Sequence, residues 1–67
     1  MKISGNNGTV IISAEDPIER VDVYTLAGEK IHTQYGGENI NLGSRKGVVV
    51  VSVETAAGVI YCGKVAI

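Results

Sequence analysis

Gly47-Val48-Val49-Val50-Val51-Ser52-Val53-Glu54 is the stretch whose reading decides the fold. In an extended chain Val49, Val51 and Val53 share one face, while Val48, Val50, Ser52 and Glu54 share the other and grow polar toward the end. A run that begins apolar on both faces belongs in the middle of a sheet. Thr55-Ala56-Ala57-Gly58 then closes a hairpin into a last strand, Val59 to Ile67. Val59, Tyr61, Gly63, Val65 and Ile67 form one side of that strand, and Ile60, Cys62, Lys64 and Ala66 the other.

Working upstream, Gly43-Ser44-Arg45-Lys46-Gly47 is the most polar loop, preceded by a short strand in which Ile40 and Leu42 alternate with Asn39 and Asn41. That strand is expected at a sheet edge. Ile18 to Thr25 places Val21, Val23 and Thr25 on one face and Arg20, Asp22 and Tyr24 on the other, the pattern of a sheet with one buried side. Leu26-Ala27-Gly28-Glu29 turns it into Lys30 to Tyr35. Pro17 has no N–H for a ladder, so the strand is expected to start just after it. At the front, Lys2 to Ser4 and Thr9 to Ser13 flank Gly5-Asn6-Asn7-Gly8, where Asn and Gly tolerate positive φ.

Composition agrees with this reading. Ten valines, eight isoleucines and four threonines make 22 of the 67 residues, against two leucines and no tryptophan or phenylalanine. Branching at Cβ restricts χ1 in a helix and packs well on a pleated surface. A chain this short is one domain, residues 1–67, burying only roughly 60% of its unfolded surface. Six or seven short strands cannot bury one flat sheet against itself. The expectation is therefore an all-β fold, a small antiparallel, immunoglobulin-like β-sandwich.

Function classes narrow quickly. Six basic and seven acidic residues give a net charge of −1, with the basic residues spread along the chain. Nucleic acid and an anionic membrane surface both need a concentrated positive field. No apolar run approaches the about 18 residues of a membrane span, and the amino terminus lacks a signal-peptide stretch. One cysteine, Cys62, allows no intrachain disulfide; alternating with Ile60, it reads as a small buried residue. The only histidine, His32, is expected to face solvent opposite Ile31. No serine lies in a G-x-S-x-G motif, and no metal-ligand spacing or phosphate loop occurs. No catalytic residue, cofactor or metal is expected. Arg45 and Lys46 could attract an acidic partner.

With the blocks in order, the chain resembles a known family. Val21-Asp22-Val23-Tyr24-Thr25-Leu26-Ala27-Gly28-Glu29-Lys30-Ile31 is similar to the V-x-V-Y-x-x-x-G-x-x-V hairpin of carboxy-terminal sorting domains of the type IX secretion system. Ile40-Asn41-Leu42 followed by Gly47-Val48-Val49-Val50-Val51-Ser52-Val53 resembles the next block, and Gly63-Lys64-Val65-Ala66-Ile67 resembles the ending. The resemblance implies a non-catalytic module at the carboxy terminus of a larger bacterial surface or secreted protein, exported through the periplasm to the cell surface. It implies the secretion machinery and a sortase-like protease as partners, a parent cargo domain upstream, and Gly28, Gly47, Lys64, Val65 and Ile67 as sorting-signal residues. Exposed strand edges also permit an edge-strand dimer. The same strand pattern fits a second reading, a structural or interaction module of a surface protein without active sorting. Val49, where the family commonly has tyrosine, and the absent Pro-Asn-Pro opening point that way.

Overall fold

The computed structural model describes residues 1–43 and 45–67; Ser44 of the polar loop lies outside the described residues. Seven strands are formed: β1 (Lys2–Asn6), β2 (Thr9–Ser13), β3 (Ile18–Thr25), β4 (Lys30–Gln34), β5 (Asn39–Asn41), β6 (Val48–Thr55) and β7 (Ile60–Ala66). They make two antiparallel sheets, β1-β2-β5 and β4-β3-β6-β7. The molecule is thus the expected small β-sandwich. Its strand order is the A-B-E and C′-C-F-G arrangement of immunoglobulin-like sandwiches.

Alternation in the sequence builds the core directly. Val10, Ile12 and Ile40 point inward from the three-stranded sheet, and Val21, Val23, Val49, Val51, Val53 and Val65 from the four-stranded one. Ile3, Ile18, Ile31, Leu42 and Ile67 pack around this cluster. β6 lies between β3 and β7, so the valine-rich run is central, as its two apolar faces require.

Boundaries differ from the sequence expectation at the front. β1 continues through Gly5 and Asn6, and Asn6 pairs with Thr9, leaving only Asn7-Gly8 as the turn. Both residues have positive φ, 49° and 80°. This is a two-residue hairpin whose twist suits the flanking strands. Gly5 has a different role, because a Cβ there would overlap the Ala66 carbonyl oxygen and lie 2.7 Å from the Val65 Cγ1. β1 approaches β7 closely enough at that point to exclude a side chain.

The two hairpins of the larger sheet repeat one design. Val21-x-Val23-x-Thr25-x-Ala27-Gly28 recurs 30 positions later as Val51-x-Val53-x-Thr55-x-Ala57-Gly58. In each turn the threonine N–H donates to the residue four ahead (2.8 Å to Glu29 O, 2.9 Å to Val59 O), and the glycine N–H donates back to the threonine carbonyl at 2.9 Å. The glycines have φ of 91° and 83°. This is a turn followed by a glycine in the left-handed region, the usual three-residue hairpin. Val21 pairs with Val53 and Val23 with Val51, on either side of Asp22 and Ser52. The β3-β6 pair is therefore locally two-fold.

β4 breaks the symmetry. Tyr24 pairs with Lys30 but Val23 with His32, so Ile31 is an extra residue in a bulge. The β6-β7 register has no such shift.

Candidate functional site

Register fixes where the five residues expected to carry a sorting signal sit. Thr25 pairs with Val49, and Val48 with Ala66, so the end of β3, the start of β6 and the end of β7 lie at one end of the sheet. Gly28 is in the turn leaving β3, with φ of 91° and open space around it. Gly47, with φ of 107°, precedes β6, and its carbonyl accepts a hydrogen bond from the Ile67 N–H at 2.9 Å. Lys64 stands exposed on the outer face opposite Val50. Val65 is a core residue and Ile67 is half-buried beside it. The fold thus joins Gly47 to Ile67 and keeps Gly28 at the same end, outside that contact. Only Lys64 offers a fully exposed side chain; Val65 acts by anchoring β7.

A cleft opens at this end, with a volume of about 390 Å³ and lined by Asn7, Gly8, Gly43, Arg45, Lys46 and Ile67. Its walls are tied together. The Leu42 N–H donates to the Gly8 carbonyl at 2.7 Å and the Gly43 N–H to Asn41 Oδ1 at 2.8 Å. A Cβ at Gly8 would overlap the Gly43 carbonyl oxygen, so glycine is needed where the first hairpin meets the polar loop. Among the described residues neither Arg45 nor Lys46 has an ion-pair partner.

The outer face of β3 and β4 carries a polar network. Asp22 lies 3.0 Å from the Arg20 Nε and 3.6 Å from the Lys30 Nζ, and accepts a hydrogen bond of 2.9 Å from the Thr33 hydroxyl. Desolvation by burial would raise the Asp22 carboxyl, but these hydrogen bonds and neighbouring positive charges outweigh it and hold the group below its ordinary 3.8. Arg20 rises in turn, first through its hydrogen bond to Asp22 and then through that charge. Arg20 and Lys30 also stand over the Tyr35 and Tyr24 rings, each at 5.9 Å. Alternation in β3 places Arg20 and Asp22 together on the outer face, whereas Thr33 and Lys30 reach Asp22 through the β3-β4 register.

Two single-residue expectations are corrected. His32 does not face solvent: the bulge at Ile31 shifts it opposite the buried Val23, where it is half-buried with Nε2 3.4 Å from Gln34 Oε1. Cys62 is exposed rather than buried, because it pairs with Ser52 on the outer face of an edge strand. Among the described residues no group of three His, Cys, Asp or Glu could hold a metal. Among the described residues no helix is long and apolar enough to cross a membrane.

The sheet edges differ in how open they are. β5 has only three residues, β4 is bulged, and β1 is pressed against β7 at Gly5. β7 runs seven residues without a register shift; β1 lies against its Val65 and Ala66 end, while Ile60, Tyr61 and Cys62 at its start are exposed. A long regular edge is the kind that accepts a further strand. Comparison with protein-family models, curated proteins and solved structures gave no match.

Proposed function

We propose that the chain is a non-catalytic sorting module that directs a cargo protein through the type IX secretion system to the cell surface, recognised along β7. One observation carries the reading. Of the three sequence blocks that resemble the sorting-domain family, the first covers the β3-β4 hairpin, the second starts on β5 of the smaller sheet and continues on β6, and the third lies on β7. Their β3, β6 and β7 parts adjoin in one sheet, where Val23, Val51 and Gly63 form a single cross-strand row. The last two blocks are further joined through Gly47 and Ile67. The secretion machinery takes the β7 edge by strand addition, Lys64 supplies the exposed charge beside it, and a sortase-like protease releases the module from its cargo.

A reporter fused ahead of residues 1–67 tests this in a strain with a working type IX system. Surface or extracellular reporter is the expected result, and reporter confined to the periplasm sinks the sorting role.

The unbulged β7 edge also favours a second reading, an interaction module of a surface protein that is not itself sorted. Periplasmic retention together with a concentration-dependent dimer of the isolated domain, seen by sedimentation, is the outcome that selects it.

A further inference from the structure

The cleft at the Gly47 end has features that a merely solvated loop does not need. Arg45 and Lys46 line the same concavity, and no described carboxylate pairs with either. Hydrogen bonds join Leu42 to Gly8, Gly43 to Asn41 and Ile67 to Gly47, so the first hairpin and the end of β7 are tied to residues on either side of Arg45 and Lys46. Half-buried Ile67 provides an apolar wall beside the two cations.

These features select a chemical class. A guanidinium presents a planar fork to an anion and an ammonium adds a compact charge, so a carboxylate is well matched. About 390 Å³ is more than a small inorganic anion needs and falls in the range of small-molecule sites, about 300–1,000 Å³. Ile67 is the one aliphatic side chain among the described lining residues, and an apolar group packed on it is stabilised by leaving water. We propose that this cleft binds an organic carboxylate with a short apolar body. A peptide carboxy terminus and a fatty acid share that chemistry. The site stands on its own geometry, whether or not the module is sorted.

The test is a titration of the isotope-labelled 67-residue chain, followed by amide chemical shifts. The probes are octanoate, 1-octanol, acetate, N-acetyl-leucine, N-acetyl-leucine amide and inorganic phosphate. Octanoate, N-acetyl-leucine or both are expected to shift Asn7, Gly8, Gly43, Arg45, Lys46 and Ile67 in a saturable way, ahead of acetate, phosphate and the neutral analogues. Whichever carboxylate binds more tightly identifies the source. The double substitution Arg45→Gln and Lys46→Gln is expected to weaken binding at least about tenfold with the other amides unmoved. Ile67→Ala keeps both cations and is expected to abolish the preference for octanoate over acetate. Shifts scattered over the molecule, equal binding of the neutral analogues, phosphate binding as tightly as the organic carboxylates, or full binding by the double variant would each overturn the proposal.

Discussion

Gly5 and Asp22 are the residues whose roles depend most on distant parts of the chain. Gly5 is not a turn residue; it allows β1 to lie against Val65 and Ala66. Gly5→Ala should therefore lower stability by about 1–3 kcal/mol, the usual cost of overpacking, measured as a fall in the urea midpoint. An unchanged midpoint would contradict the close approach. Asp22 has its carboxyl held below 3.8 in the fold. The unfolded chain takes up this proton first as pH drops, so the contribution is complete above the ordinary carboxyl value and is lost as pH falls through the lowered one. Asp22→Asn should flatten the part of the acid limb in a stability profile that lies below the ordinary carboxyl value. Arg20 beside Asp22 follows from alternation in β3, but the approach of Gly5 to β7 and the reach of Thr33 and Lys30 to Asp22 do not. His32 and Cys62 depart from the sequence expectation for the same reason: alternation gives relative faces, whereas a bulge or an edge position decides what each face meets.

Elements were more legible. Strict alternation in β3 and β6 places Val21, Val23, Val49, Val51 and Val53 in the core by simple counting. Val51 is fully buried at 0% exposure and Val48 is 44% exposed, one strand offering both environments. Val51→Ala should cost about 2 kcal/mol or more through lost burial and the cavity left behind, while Val48→Ala should stay within about 0.5 kcal/mol. Thermal or urea unfolding of the pair checks this, and equal effects would mean the faces are misassigned. Hydrogen exchange should be slowest in β3 and β6, which are paired on both sides, and fastest in the three-residue β5. The 30-residue recurrence of Val-x-Val-x-Thr-x-Ala-Gly lies openly in the sequence and accounts for both long hairpins. The Ile31 bulge that separates them has no sequence signal, since Lys30-Ile31-His32-Thr33 alternates without interruption.

At the scale of the whole molecule, the number of strands and the absence of a long helix forced two sheets. Which strands met across them was settled by tertiary packing: β1 meets β7 where Gly5 lies against Val65 and Ala66, and the cleft brings Asn7 and Gly8 together with Gly43 and Ile67. Among the sheet edges β7 is the longest regular one; β1 covers it at Val65 and Ala66 and leaves Ile60, Tyr61 and Cys62 exposed, with Lys64 on the outer face and Gly47 fastened to Ile67 at the end. The functional account rests on that edge being read by a secretion machine. It is tested most directly by measuring the share of reporter at the surface for a fusion to residues 1–67 and for the same fusion carrying Lys64→Glu, a surface change that leaves the core intact. The account predicts surface reporter for the native sequence and periplasmic accumulation of a folded Lys64→Glu fusion. Native-sequence reporter held in the periplasm, or equal surface display by both, would contradict it.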